Sequence, residues 1–227
     1  PVDDDYVSRF VITGKWTGAA YYRLFFPMLV PADVQRLLYI DVDALVVGDL
    51  APLYTESLDD YPLGAVYDNY VKKQPLLGIK EEGRYFNSGM LLINTSVWRS
   101  RNISERAIAY MQEHPDHILF VDQCALNAVL IDSWKQLPPQ YNLLTSYLPE
   151  IGSYDKTAFL RTVTVLHFTL NRPWQFLSTH PYRRLYRHYL KNTPYRGRRI
   201  VDFSFDKMLK KVKLALWEFY MQSPVIR

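Results

Sequence analysis

The chain has 227 residues, 48% hydrophobic and 15% aromatic, enough for one sizeable core and a single main domain. No run of about 18 apolar residues is present, so no transmembrane helix is expected, and the lone cysteine, Cys124, excludes an intrachain disulfide and fits a reducing compartment. The net charge of +4 is unevenly held: residues 1–179 carry 15 Lys and Arg against 20 Asp and Glu, whereas residues 180–227 carry 12 against 3.

The acidic opening Pro1-Val2-Asp3-Asp4-Asp5 has no apolar stretch of the kind a secretory leader needs, so no signal peptide and a cytoplasmic location are expected. The sequons Asn94-Thr95-Ser96 and Asn102-Ile103-Ser104 then read as chance matches.

The first expected element is a helix over Ala19–Leu29, carrying Tyr21-Tyr22-Arg23-Leu24. Arg23 has the planar fork that matches oxyanions, although a surface arginine on an amphipathic helix is its ordinary reading. A strand over Leu37–Asp41 follows and leads into Asp41-Val42-Asp43, which separates the apolar runs Leu37–Ile40 and Ala44–Val47. Two carboxylates inside an apolar segment are costly to desolvate unless a cation sits between them. Residues i and i+2 of a strand share a face, so Asp41 and Asp43 are expected to offer oxygens to one cation while Val42 packs on the other side. A hard divalent ion that also binds phosphate suits such a pair.

Further strands are expected over Leu63–Tyr67 and Met90–Asn94, the second entered through Tyr85-Phe86-Asn87-Ser88-Gly89. Asn87 beside a glycine at a strand entrance is able to hydrogen-bond a sugar hydroxyl; a simple turn is the alternative. Helices are expected over Ser104–Glu113, with Ser104 as N-cap, and over Asp122–Leu130. Asp122 reads either as a cap or, with Gln123, as a holder of sugar hydroxyls and of positive charge at an anomeric carbon. A strand over Trp134–Leu137 precedes Pro138-Pro139 and Pro149, which mark a surface loop over a cleft. The last strand, Val163–Phe168, carries His167 near its end, with Arg172 a few residues on. Strands alternating with helices indicate an α/β protein.

The tail differs in character. Phe205, Met208, Leu209, Val212, Leu216, Phe219 and Tyr220 recur at helical spacing, with Lys207, Lys210, Lys211 and Lys213 mostly off that stripe and Trp217 available as an interfacial anchor. This is a basic amphipathic helix suited to an anionic membrane surface, its rival being a helix docked on the core with solvated lysines. Tyr182, Leu185, Tyr186 and Tyr189, interleaved with Arg183, Arg184 and Arg187, repeat the pattern. The continuous apolar stripe suits a bilayer better than a nucleic acid.

Taken in order, Tyr22-Arg23-Leu24, Leu38-Tyr39-Ile40-Asp41-Val42-Asp43, Gly64-Ala65-Val66-Tyr67-Asp68, Tyr85-Phe86-Asn87-Ser88-Gly89 through Asn94, Asp122-Gln123, and His167-Phe168 with Pro173-Trp174 resemble glycosyltransferase family 8, the retaining GT-A enzymes that use nucleotide-diphosphate sugars. The resemblance covers about residues 17–175 and looks closest to bacterial enzymes that add galactose or glucose to lipopolysaccharide. It implies a GT-A-type domain over residues 1–179 with a mixed central sheet lacking its first strands, followed by the basic helical tail over 180–227. It implies that Asp41, Asp43 and His167 ligate Mn²⁺ or Mg²⁺, and that Arg23 and Asp41-Val42-Asp43 contact the UDP-sugar donor. Asn87, Asp122 and Gln123 would surround the sugar, with Asp122 and Gln123 as the catalytic candidates. Asp68 would lie toward a glycan or glycolipid acceptor, and Arg172 would replace the usual lysine near the β-phosphate. The last motif is one residue shorter than the family's His-Phe-x-Gly-x-x-Lys-Pro-Trp, and Leu170 or Asn171 stands at the glycine. The strand, helix and strand that hold uridine in the family would precede this sequence.

Two rival readings remain at this stage. A haloacid-dehalogenase-type phosphatase also places paired aspartates after an apolar strand, but Leu45 stands where Thr or Val is usual and no downstream lysine and acidic pair matches. The other rival is a non-catalytic, membrane-associated remnant of a transferase.

Overall fold

The computed structural model describes residues 18–150, 152–197 and 202–221, with side chains of the final helix described as far as Leu214. The strands are β1 (Arg36–Ile40), β2 (Ala44–Val46), β3 (Leu63–Tyr67), β4 (Phe86–Asn94), β5 (Lys135–Gln136), β6 (Leu143–Leu144) and β7 (Val165–His167). The helices are α1 (Tyr22–Leu29), α2 (Ala51–Tyr54), α3 (Thr95–Ser100), α4 (Ile103–Glu113), α5 (Val121–Val129), α6 (Lys156–Leu160), α7 (Arg183–Leu190) and α8 (Phe205–Met221). No helix among the described residues is long and apolar enough to cross a membrane. The chain packs as two compact units, one of residues up to Pro149 together with Thr157–His167, the other of Glu150–Lys156 together with Phe168 onward.

The α/β expectation holds, with mixed sheets. In the first unit four strands lie in the order β1-β4-β3-β5, with β5 parallel to β3 and the other pairs antiparallel. A second sheet has the order β2-β7-β6, with β6 parallel to β7. Strand β4 is central and buried on both faces, which its apolar run Met90–Ile93 permits. Its side chains alternate as strand geometry requires. Leu91 and Ile93 join Leu24, Trp98, Ala107, Met111 and Ala125 in a helix-covered core, while Met90 and Leu92 face Leu53, Leu58, Val66 and Leu137.

Several expected elements change at their ends. The first helix is a 3-10 turn, Gly18–Tyr21, leading into α1, which ends two residues after Pro27. The strand expected from Met90 begins at Phe86. It bulges against β3, where Ala65 pairs with Leu91 but Val66 pairs with Asn87. Ser104 is not the N-cap of its helix. Asn102, in a left-handed conformation, holds that position, and the buried Ser104 hydroxyl accepts from Trp98 Nε1 and donates to the Leu24 carbonyl, because helix packing closes over it. The expected surface loop after Pro138 is instead largely structured. It contains 3-10 turns, the buried strand β6 and a fully buried Asn142, since β6 completes the sheet beside β7.

In the second unit, Arg183 of α7 donates to the carbonyls of Pro173, Gln175, Phe176 and Ser178, fixing the loop after Phe168. Helix α8 shows its apolar stripe to solvent: Phe205 is 65% exposed, Leu209 43% and Val212 50%. Leu216, Trp217, Phe219 and Tyr220 lie outside the side chains described.

Candidate active site

The site grows from the end of β1. The Asp41 backbone N–H still bonds to the Gly89 carbonyl of β4 (2.7 Å), but the Asp41 carbonyl then accepts from Ala44 N–H (3.1 Å), closing a turn into β2. The expectation of a strand through Asp41-Val42-Asp43 is thus corrected. The segment is a turn between two sheets, and Val42 is fully exposed rather than packed, because the turn points it outward. The carboxylates nevertheless converge. Register sets His167 of β7 directly opposite Ala44 of β2, next in sequence to Asp43. Ligand atoms of Asp41, Asp43 and His167 lie within 4.8 Å of one another.

Three side chains with ligand atoms face each other there. His167 Nε2 is 3.2 Å from Asp43 Oδ1 and 3.9 Å from Asp41 Oδ2, while Nδ1 bonds to Asn142 Oδ1 (2.9 Å). With Nδ1 occupied by that bond, Nε2 and two carboxylates form an oxygen–nitrogen donor set open to a cation, which suits Mn²⁺ or a similar divalent ion. Gly89 makes room for the cluster, since a Cβ there would lie 2.8 Å from Asp41 Oδ2.

Arg23 projects from α1 and joins this cluster to the next. Its Nη2 is 3.0 Å from Asp41 Oδ1 and its Nε is 3.0 Å from Asp122 Oδ2; Nη1 donates to the Ser88 carbonyl and hydroxyl. The guanidinium also lies 4.7 Å from the Tyr39 ring, whose hydroxyl donates to Asp41 Oδ1 (2.6 Å). Burial works against the Arg23 charge, but Asp122 and Asp41 outweigh it and hold the guanidinium protonated. Burial raises Tyr39 as well, only partly offset by Arg23. For Asp122, burial pushes the carboxyl up to about 6, against the pull of Arg23, with Asp41 adding to the rise and the Ser88 hydroxyl opposing it.

Asp122 and Gln123 reach the site from the first turn of α5. Val121, just before them, is β-branched and buried yet has φ +39°, a left-handed conformation that costs about 1–3 kcal/mol and persists only where the surroundings enforce it. Gln123 Oε1 accepts from Ser88 N–H (3.0 Å) and Asn87 Nδ2 (3.2 Å), and its Nε2 donates to Asp68 Oδ2 (3.2 Å). Asp68 Oδ2 also accepts from Asn87 Nδ2 (3.1 Å). Asn127, one turn further on α5, takes both backbone groups of Phe86, beyond the reach of β1.

Of the residues singled out from sequence, Arg23, Asp41, Asp43, Asn87, Asp122, Gln123, Asp68 and His167 form one connected set. Val42 sits at its rim, beside an apolar groove of about 480 Å³ lined by Ala19, Tyr22, Phe26, Leu37, Leu38, Tyr39 and Ile40. Arg172 belongs to the second unit, where its guanidinium lies 5.9 Å from the Trp174 ring. Sequence reasoning missed Asn142, Asn127 and the role of Ser88. Ser88 stands between Asn87 and Gly89 at the entrance of the apolar run Met90–Ile93, and that position was its available signal; Asn142 and Asn127 carried none.

A family model described as glycosyl transferase family 8 matches residues 4–178. General stress protein A of Bacillus subtilis (strain 168) is 34% identical over 206 residues, covering 85% of this chain and 71% of that protein. Lipopolysaccharide glucosyltransferase WaaO of Escherichia coli (strain K12) is 30% identical over 187 residues, 76% of this chain but 54% of its own length. The crystal structure of galactosyltransferase LgtC in complex with donor and acceptor sugar analogs superposes with a TM-score of 0.74 over 87% of this chain and 77% of that one, at 24% identity, which establishes likeness of fold.

Proposed function

The chain belongs to glycosyl transferase family 8, and from that premise we propose that it moves galactose or glucose from a UDP-sugar to a hydroxyl of a glycan or glycolipid, such as lipopolysaccharide core, with retention at the anomeric carbon. The observation that carries this reading is the Asp41–Asp43–His167 cluster joined through Arg23 to the polar pocket of Asp122, Gln123, Asn87 and Asp68. Membership sets aside the phosphatase, and a complete ligand set argues against a non-catalytic remnant. The names of WaaO and LgtC support hexosyl transfer.

Asp41, Asp43 and His167 would hold Mn²⁺, or Mg²⁺ in its place. When bound, that ion supplies a Lewis acid that neutralises charge on the leaving diphosphate. Arg23 holds Asp41 aimed at the cluster. Asn87, Gln123 and Asp68, each nearly buried, retain a little exposure with which to orient sugar hydroxyls, Asp68 on the acceptor side. Val42 and the adjacent groove offer apolar surface to the nucleoside, and Arg172 offers a cation to the β-phosphate.

The bond between the anomeric carbon and the diphosphate oxygen breaks with its electron pair leaving on that oxygen. The acceptor oxygen bonds to the same face, and its proton passes to the departing phosphate. The Asp122 carboxylate is engaged by Arg23 and Ser88, which suits it poorly to act as a nucleophile and favours this front-face route. Its charge, and the Gln123 carbonyl, stabilise an oxocarbenium-like transition state.

The exposed apolar stripe of α8, beside exposed Lys210, Lys211 and Lys213, supports peripheral association with an anionic membrane surface on the cytoplasmic side. The test of the reaction is a donor screen with Mn²⁺ and with EDTA, on wild type, Asp43→Ala and His167→Ala. Transfer that needs Mn²⁺ and is lost in both variants is expected. Near-normal turnover in either variant overturns the ligand assignment.

A further inference from the structure

Asn142 is wholly buried between two site residues: its Nδ2 lies 2.9 Å from Asn87 Oδ1 and its Oδ1 lies 2.9 Å from His167 Nδ1. The direction of each bond follows from the ends of the chain of contacts. The Gly89 backbone N–H can only donate, and it meets Asn87 Oδ1 at 3.0 Å. On its other side, Asn87 Nδ2 donates to the Asp68 carboxylate at 3.1 Å. Both contacts hold Asn87 with its oxygen toward Asn142. Asn142 must then donate to Asn87 and turn its own oxygen to His167. An amide oxygen cannot donate, so Nδ1 of His167 must carry a proton. In the rival tautomer, Nε2–H donates to Asp43, and two lone pairs are left facing each other at the Asn142 contact inside a buried site, where an unmade bond is costly.

We propose that Asn142 is a positioning residue of the cation site. Gly89 N–H and Asp68 orient Asn87, Asn87 orients Asn142, and Asn142 fixes His167 with Nδ1 protonated and the Nε2 lone pair turned to Asp41 and Asp43. The inference rests on the reading of Asp41, Asp43 and His167 as cation ligands. It adds that the sugar-side pocket presets the metal-binding form of the histidine. Partners of this kind hold ring orientation and ligand basicity, and their loss typically lowers metal affinity about 10–100-fold.

The test uses the whole chain, with His167 assigned by its absence in His167→Ala. Long-range ¹H–¹⁵N spectra of the cation-free protein, at a pH where the ring is neutral, should show His167 protonated on Nδ1. Asn142→Leu, similar in volume but with no acceptor, should move the proton to Nε2 and weaken Mn²⁺ binding, measured by calorimetry, about 10–100-fold. Asn142→Asp keeps an acceptor against Nδ1 and should retain both the tautomer and Mn²⁺ affinity. A wild-type ring protonated on Nε2 in protein that binds Mn²⁺ overturns the proposal alone, and that result needs no variant to fold. A folded Asn142→Leu protein with unchanged tautomer and affinity does the same. Wild type without Mn²⁺ affinity brings down the ligand reading, and the proposal with it.

Discussion

The Cβ that Gly89 lacks would lie 2.1 Å from Cε1 of His167. No real contact is that short, so the strand that carries Asn87 and the strand that carries His167 approach as they do only because position 89 has no side chain. Gly89→Ala is therefore expected to push the His167 ring away from Asp41 and Asp43. Overpacking of this kind costs about 1–3 kcal/mol of stability. The informative comparison is calorimetric Mn²⁺ binding beside urea unfolding. We expect cation affinity to fall by more than the stability loss alone would suggest. An alanine variant that binds Mn²⁺ like wild type would show that the ring is not confined by this contact.

Arg23 divides its fork between Asp41 and Asp122, carboxylates that belong to the cation cluster and to the sugar-side pocket respectively. Removing one partner of a buried ion pair leaves uncompensated charge and typically costs about 3–5 kcal/mol. Arg23→Met should therefore unfold at distinctly lower urea concentration in EDTA. Arg23→Lys keeps the charge but loses the planar fork, and a single ammonium is not expected to bridge both carboxylates. It should fall between wild type and Arg23→Met. Mn²⁺ offers Asp41 another countercharge and should recover part of the loss in both variants. Equal stability of Lys and wild type would refute the bridging role.

The sequence made some of this architecture legible and hid the rest for identifiable reasons. Apolar periodicity located β1, β3, β4, β7, α4 and α5 because each carries a run or a stripe of apolar residues at the spacing of its own element. The pairing of Asp41 with Asp43 was readable because carboxylates in an apolar run need a countercharge. The conformation that achieves the pairing was not: a turn and a strand both bring residues i and i+2 together, and only the tertiary register of β2 with β7 distinguishes them. Asn142 was invisible because its value lies in the direction of two long-range hydrogen bonds, which no local pattern encodes. The strained φ of Val121 likewise comes from packing, against the preference of a β-branched residue.

His180 in the second unit predicts a pH dependence separate from the site. Its ring is buried and meets Phe168 nearly perpendicularly, at 5.0 Å between centroids; Nδ1 accepts from Tyr182 N–H, and Nε2 has no hydrogen-bond partner among the described residues. Burial pushes its pKa down from 6.5 to about 4. The unfolded chain takes up a proton below pH 6.5, whereas the folded chain resists doing so until about pH 4. The contribution of His180 to stability is thus complete above pH 6.5 and is lost as pH falls toward 4. His180→Phe removes that proton uptake and forfeits the Tyr182 bond, worth about 1 kcal/mol. Urea midpoints should show the variant level with or slightly below wild type at pH 7.5, and gaining on it at pH 5. A difference between the two proteins that is the same at both pH values would count against the buried, neutral ring.

Helix α8 leaves Phe205, Leu209 and Val212 exposed on one stripe, with Lys210, Lys211 and Lys213 exposed around it. Water is a poor neighbour for that stripe, and an anionic bilayer satisfies both its apolar and its charged faces. A basic residue near such a surface contributes about 1 kcal/mol, so removing three positive charges amounts to about 3 kcal/mol, or roughly 100-fold in partition. Lys210→Gln, Lys211→Gln and Lys213→Gln combined should lower sedimentation with phosphatidylserine-containing vesicles by about that factor, and high salt should do the same to wild type. Leu209→Gln with Val212→Gln tests the apolar half and should weaken binding even at low salt. The two sets leave the first unit untouched, so transfer to a soluble acceptor should persist in both. Vesicle binding that survives both sets would place the membrane contact elsewhere on the chain.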